Sequence, residues 1–396
     1  MLPIEKIMKI FIPLTLTLSP EGRGKCEGNQ GNEGNGNSFK TEIITDFFQF
    51  TKLREEWNAL LDKTNNRNPF LHHEWLSSWW KAYGKDKELF VICVSENEKL
   101  IGLIPLMRYK TKFLGLPMEI LGFISNHWVG LDFIGLETDL PKCLEALRRC
   151  VLKENKIAVL SYFKENSRNL ELMKKNFSNG SIKPYLTQKY ATYIQAQGTW
   201  QDYLKSRSHN FRHVSKKKLK SAQEWGTISF DHLTKDINIE QVLRELKEIS
   251  SHSWQGKKGV AVLSTQEGET FYEELLKEWV PQGIVDISFL RINDKAIAYN
   301  VGFNVSGHLY LFDTAYHEDF KKISAGSILN NFFIEDLFKN GFKVIDFGYM
   351  ADYKQSLTEN VANIYDVTLF PNSPKGKVLR AANRLKNYYQ AKYATK

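Results

Sequence analysis

Apolar and polar positions alternate along this chain in blocks that switch between helical and strand periods. From Phe39 onward, Leu53–Leu61 has helical spacing, and PFLHHEWLSSWWKAYG reads as a loop running into a second, aromatic helix. LFVICVSENEKLIGLIPLMRY is two β-rich runs about a short polar turn, the pattern of a hairpin. MEILGF and LDFIGL predict further strands. PKCLEALRRCVLKEN predicts a helix with Pro141 in its first turn, and KIAVLSYF a buried strand. A helix at Arg168–Phe177 and a strand at Tyr190–Gln195 close the first half. The second half repeats the theme. A helix at Thr199–Leu204 precedes the basic helix SRSHNFRHVSKKKLKSAQEWG, which Gly226 stops. TISFDHL is a strand; INIEQVLRELKEISSHSW and Thr265–Trp279 are amphipathic helices. GIVDISFLRINDKAIAYNVGFNV is a second hairpin, turning at Asn293-Asp294.

The next stretch, Leu309–Leu357, reads as strand, basic turn, helix, strand and a polar loop. Lys321-Lys322 precede Ser324-Ala325-Gly326-Ser327, and an apolar helix begins at once. A helix N-terminus presents free N–H groups and the positive end of a dipole. Small residues there let phosphates approach the backbone, and two lysines raise the local potential. The stretch therefore reads either as a cradle for a phosphorylated ligand or as an ordinary capped helix. ANIYDVTLF supplies a last strand before a basic tail.

Net charge changes this picture because it is local. The chain is +9, yet Lys205–Lys220 and Lys375–Lys396 each carry seven Lys/Arg and no acid. The rest is net acidic, which points to a phosphate-bearing or polyanionic partner, with solvated helical faces as the alternative. The four cysteines, Cys26, Cys93, Cys143 and Cys150, show no CxxC spacing. That fits reduced thiols and a cytoplasmic setting and argues against structural zinc; Cys143 and Cys150 are expected to share a buried helix face. No apolar run approaches the length of a membrane helix. Residues 1–38 hold a faint signal-like segment followed by GRGKCEGNQGNEGNGN, a composition expected to be disordered. No GxSxG elbow, Walker A loop or CxxC pair is present, which excludes the common hydrolase, NTPase and zinc-enzyme signatures. His209 and His213 are four apart on one helix face but stand among Lys and Arg. His72-His73 and His127 have no acidic or cysteine partner at useful spacing, so no metal is expected.

The two halves also resemble each other. Glu98-Lys99-Leu100-Ile101-Gly102 and Asp294-Lys295-Ala296-Ile297-Ala298 occupy equivalent places in the two hairpins. Only the second half carries the Lys-Lys/Ser-Ala-Gly-Ser turn, so the first is expected to be a diverged, non-catalytic copy. With SRSHNFRHVSKKKLK and its Trp-Gly step, YLFDTAYHEDFKKISAGSILNNFFIEDLFKNGFKVIDFG and DYKQSL, the second half resembles the GNAT acyltransferase superfamily. It is most similar to the branch of CelD-like proteins and FemAB-like peptidyltransferases. The family commonly has Pro where Ala325 stands and Gly-rich pairs where Tyr349-Met350 stand.

The resemblance implies an α/β fold with a mixed, splayed sheet in tandem GNAT-like domains. The expected order is the low-complexity segment 1–38, a diverged domain 39–196, an acyltransferase domain 197–372 and a basic tail 373–396. It further implies that Lys321, Lys322, Ser324, Ala325, Gly326 and Ser327 hold the pyrophosphate of acetyl-CoA or another acyl-CoA. The thioester would lie along Leu309–Thr314, where an amine or hydroxyl attacks. Asp313 is a candidate general base or acceptor-orienting group, or simply a strand-end residue, and Tyr316 a candidate proton donor to the thiolate. Asp346 is catalytic or structural, with Lys354 or Arg291 as its expected partner. Lys354 sits where FemAB-like proteins carry a functional lysine and would stabilise an oxyanion. Arg207, Asn210, Arg212, Trp254 and Tyr353 are assigned to substrate. The implied activity is transfer of an acyl group from CoA to a small-molecule acceptor, a sugar or glycan or envelope precursor. The alternatives are an aminoacyl-tRNA-dependent peptidyltransferase, for which the basic helix suits RNA, and a non-enzymatic polyanion-binding relative.

Overall fold

Both expected hairpins form, and by the same device. Asn97 and Glu98 have φ of 49° and 61°, and Asn293 and Asp294 have φ of 48° and 66°. Two consecutive left-handed residues make the two-residue turn whose twist matches that of the flanking strands. The computed structural model describes residues 39–125, 130–177 and 182–393. The low-complexity segment 1–38, with Cys26, and His127 lie outside them.

The first half supplies strands β1 (Lys40–Ile44), β2 (Glu88–Glu96), β3 (Lys99–Phe113), β4 (Leu116–Phe123), β5 (Ile134–Gly135), β6 (Ala158–Lys164) and β7 (Ile182–Gln195). The second supplies β8 (Ile228–Leu233), β9 (Val285–Ile292), β10 (Lys295–Val305), β11 (His308–Tyr316), β12 (Val344–Tyr349) and β13 (Val361–Pro371). LDFIGL, expected as a full strand, contributes only the two residues of β5, which pairs with β3 off the main path. The others form one mixed sheet in the order β1-β2-β3-β4-β6-β13-β7-β12-β11-β10-β9-β8.

That order is a duplication with an exchange. In each half an antiparallel meander, β1–β4 or β8–β11, is followed by a helix and a parallel strand, β6 or β12. The closing strand of each half then crosses over. β7 lies beside β12, β13 lies beside β6, and the two pair with each other along all 11 residues of β13. One continuous ladder thus joins the copies, and each completes the other's sheet.

Helices cover the sheet where their sequence faces predict. The helix Leu140–Glu154 buries Cys143 and Cys150 together, as their spacing requires. On the face called A here, helices His73–Tyr83, Ile239–His252 and Gln266–Trp279 bury Trp75, Trp79, Phe271 and Trp279 against Phe303 and Phe312 of the second half. The aromatic helix of the first half therefore belongs to the core of both. On face B, the helix Ala325–Lys339 covers β9 and β10 through Ile328 and Leu329, and β11 and β12 through Phe333 and Ile334. The basic tail is also helical, over Pro374–Tyr393. Proline at the first position and no internal glycine beyond Gly376 favour that outcome.

Because β7 and β13 are traded, fragments 39–196 and 197–396 each lack a strand that their own sheet needs. Expressed alone, neither is expected to give a cooperative thermal melt as a monomer; co-expressed, they should assemble. Independent cooperative melts of both fragments would contradict the exchange.

Candidate active site

The site begins with a divergence. Parallel strands β11 and β12 pair over only three positions, His308–Tyr310 against Val344–Asp346, and then part. Irregularities on both strands enforce this. β11 carries one extra residue, Phe312, between the pairs Leu311–Gly302 and Asp313–Val301. β12 loses register with β7 between Asp346 and Tyr349. A bulge bends its strand and removes a residue from the ladder, which leaves main-chain polar groups available at the split.

The bulge also sets where side chains point. Phe312 and Asp313, though consecutive, both face A: Phe312 packs on Trp75 and Phe303, and Asp313 meets Tyr272 and Tyr299. The Asp313 carboxylate accepts hydrogen bonds from Tyr272 Oη at 2.9 Å and Tyr299 Oη at 3.0 Å, and both tyrosines are fully buried. Burial raises the Asp313 pKa above the ordinary carboxylate value, only partly offset by the two hydroxyls. Tyr316 points the other way. It packs among the face B residues with Ile323, and a side chain at Gly326 would come within 3.3 Å of its ring. Asp313 and Tyr316 are therefore on opposite faces of the sheet, and the structure does not bring this expected pair together.

On face A, the mouth of the split is a recess of about 130 Å³ lined by both halves. The first half gives Asn68, Phe70, Gly130, Tyr162 and Lys164; the second gives Val262, Tyr310, Phe312, Asp346 and Gly348. Asp346 is half-buried there. Its partner is Lys164 Nζ at 3.0 Å, with the Gly348 N–H donating to its other oxygen at 2.9 Å. Neither expected partner takes that place. Arg291 is bound by Asp231 and Glu245 on β8 and a neighbouring helix, at 2.5 and 2.8 Å. Lys354 instead donates to the carbonyls of Phe347 and Tyr349, the latter at 2.7 Å, on the diverging end of β12. Burial lowers the Lys354 pKa to about 8, against the raising influence of Asp346. Lys164 goes the other way: burial would lower its pKa, but Asp346 and Tyr310 hold it above the usual lysine value.

Tyr162 is the strained residue of this recess. It has φ of 75°, which costs a bulky side chain about 1–3 kcal/mol. Asp366 of β13 fixes it by accepting from its backbone N–H at 3.0 Å. Gly348, at φ 66°, faces it, and a side chain there would meet the Tyr162 hydroxyl at 3.3 Å. Strain held by the exchanged strand and aimed into a recess marks a site. Sequence reasoning missed Tyr162, Lys164, Tyr272 and Tyr299. They are apolar-patterned or first-half residues, and only the β11 bulge and the strand exchange bring them to the split.

On face B, the phosphate-cradle residues do converge. Ser324 takes left-handed φ/ψ of 61°/47° between the turn Glu318–Ile323 and the helix beginning at Ala325. Its side chain makes no capping bond, so the N–H groups of Ala325 and Gly326 keep their donor capacity among the described contacts, while that of Ser327 donates to the Ser324 carbonyl at 2.9 Å. Lys321 and Lys322 are exposed beside it. Lys218 of the basic helix His209–Gln223 donates to Ser327 Oγ at 3.1 Å, adding a third lysine. The first-half equivalent, the helix Leu140–Glu154, is preceded by Glu137 and Asp139, which disfavour a phosphate.

The remaining substrate candidates scatter. Arg212 reaches the carbonyls of Leu204, Lys205 and Arg207, at 3.3 and 3.2 Å for the first two, and so closes the preceding helix. Arg207 donates to the Leu357 carbonyl at 3.4 Å, and Asn210 is exposed on the basic helix. Trp254 is exposed near the phosphate turn, to which Lys257 is tied through Glu318 at 2.6 Å. Tyr353 is exposed on the loop beside Lys354. Among the described residues Glu248, His252 and His317 bring ligand atoms within 4.8 Å of one another. The two imidazoles are stacked at 4.4 Å and 10°, so their in-plane lone pairs do not meet at one point.

This architecture, two mixed half-sheets each with a parallel split, defines a tandem GNAT-like α/β protein with a diverged first copy. Residues 209–355 match the family model described as an acetyltransferase (GNAT) domain. No curated protein sequence matches the chain. Among solved structures it is similar to FemX, with 10% identity over 83% of this chain and 96% of that one and a TM-score of 0.55. It is also similar to L-PGS from Bacillus licheniformis, with 12% identity, 83% and 96% coverage and a TM-score of 0.53. A third is the C-terminal domain of a putative lysylphosphatidylglycerol synthetase from Agrobacterium fabrum, with 10% identity, 86% and 96% coverage and a TM-score of 0.52. These likenesses establish the shared fold.

The Asp313 pKa makes a test with a definite sign. Its folded-state value is raised, so the folded chain holds this proton more tightly than the unfolded chain. The associated stability is present at low pH and is lost as pH rises through the raised value. Asp313→Asn should therefore gain stability relative to wild type as pH goes from acid to neutral. A difference that does not change with pH, measured by parallel denaturant melts, would contradict the burial argument.

Proposed function

We propose that the protein transfers an acyl group from acyl-CoA to an amine or hydroxyl of a small acceptor, a sugar or an envelope-glycan precursor. The observation that carries this reading is the β11/β12 split. It joins the phosphate-binding turn on face B to a polar recess on face A, so donor and acceptor can approach one carbonyl from opposite sides of the sheet. The CoA pyrophosphate would sit on the N–H groups of Ala325 and Gly326, with the Ser324 and Ser327 hydroxyls beside it and Lys321 and Lys322 supplying charge. The pantetheine arm would thread the split, and its thioester would lie against the bulge at Phe312. Main-chain N–H groups freed there would receive the oxyanion as the acceptor attacks, and collapse of that intermediate would break the C–S bond and release CoA as its thiolate.

The acceptor would occupy the recess between Tyr162, Lys164, Tyr310 and Asp346. Asp346 would orient its nucleophile, and Asp313 would take up the proton through the Tyr272–Tyr299 network. A carboxyl group whose pKa is lifted by burial is better matched to neutral-pH proton transfer than an ordinary one. Lys354, cationic below about pH 8, would hold the diverging carbonyls of β12 apart from β11 and add positive charge near the oxyanion. Tyr316 would close the phosphate end against Gly326; its face rules against a shared proton path with Asp313.

The basic helix supports a second reading, an aminoacyl-tRNA donor. Lys216, Lys217 and Lys220 are exposed beyond Lys218, and they extend the positive surface past what a pyrophosphate needs.

Titration calorimetry with acetyl-CoA separates the two. The account expects micromolar binding or tighter, weakened at least about tenfold by Gly326→Val with little loss of thermal stability. A Cβ there would lie 3.3 Å from the Tyr316 ring, which need shift only slightly, while the branched side chain would block the helix N-terminus. No response to any acyl-CoA, with tRNA binding that falls steeply as salt rises, would favour the second reading; unchanged affinity in the variant would remove the phosphate site from this turn.

A further inference from the structure

The C-terminal helix Pro374–Tyr393 has two apolar faces, and the fold uses one. On the inner face Leu379 is buried with Ile120, Ile157 and Phe370, and Gly376 is pressed against the end of β13. On the outer face Val378 and Leu385 are 49% and 59% exposed, and Ala381 lies exposed between them. Positions 378, 381 and 385 follow helical spacing, so these residues form one stripe rather than scattered side chains. Lys375, Lys377 and Arg384 are exposed beside it, and the chain from Lys375 to Lys396 contains no acid.

The surface continues onto the β3–β4 hairpin. Phe113, Leu114 and Leu116 are half-buried in the same cluster as Leu379. The acid of that hairpin, Glu119, is neutralised by Lys156 at 2.5 Å. Apolar residues on a purely cationic face need a partner that is negative outside and apolar beneath. A nucleic-acid backbone offers no counterpart for Val378 and Leu385. A second copy of the helix would bring like charges together.

We infer that this helix and hairpin dock on an anionic phospholipid surface, the helix lying in the interface with its stripe among the acyl chains and its lysines at the headgroups. Among the described residues no helix is long and apolar enough to cross a membrane, so the attachment is peripheral. It would hold the acceptor recess near whatever acceptors a bilayer carries, and it does not depend on which acyl donor the site uses.

Flotation of the full chain with phosphatidylcholine vesicles, with and without phosphatidylglycerol, tests this. Binding is expected only when phosphatidylglycerol is present, and it should weaken as salt is raised. The double variant Val378→Glu/Leu385→Glu, whose thermal melt should match wild type because both positions are exposed, should bind at least about tenfold more weakly. No binding to phosphatidylglycerol vesicles would overturn the inference. So would full binding by the folded double variant, or a wild-type dimer that the double variant dissolves.

Discussion

Two parallel strands that stay paired for three residues and then separate are the constraint on which the rest depends. A fully zipped β11–β12 pair would satisfy more backbone groups and leave no passage through the sheet. The chain keeps it open from both sides. The Phe312 bulge turns β11 away, Gly348 bends β12, and Lys354 occupies the carbonyls that zipping would have used. Polar groups left out of the ladder are thereby paired with a side chain or offered to a ligand. The same bulge places Asp313 on its two tyrosines, so parting the strands and positioning that carboxyl group are one structural event.

The strand exchange makes each half depend on the other. β7 borders β12 and so forms one bank of the split. β13 borders β6 and, through Asp366, holds Tyr162 in its strained conformation. The first half has lost the small-residue turn and carries acids before its helix, yet it supplies Asn68, Tyr162 and Lys164 to the recess.

Local patterns carried much of this into the sequence. The hairpins at Asn97-Glu98 and Asn293-Asp294, the Cys143/Cys150 helix face and the turn at Lys321–Ser327 all follow from contacts between near neighbours. What stayed hidden depends on long-range register. The exchange cannot be seen in β7 or β13 alone, since a strand pattern does not name its partner. The one-residue bulge at Phe312 breaks the alternation that would have placed Asp313 and Tyr316 relative to each other, and the true partner of Asp346 lies in the other half. The packing of the basic tail was hidden because its inner face rests largely on Leu379.

Hydrogen–deuterium exchange with and without acetyl-CoA tests the central claim most directly, because it reports on both ends of the proposed passage at once. The account predicts slowed exchange at the amides of Ser324–Ile328 and, in the same titration, at Leu311–Asp313 on the bulge. Protection confined to the basic helix His209–Gln223, or absent from the bulge while the turn is protected, would contradict a donor that threads the split.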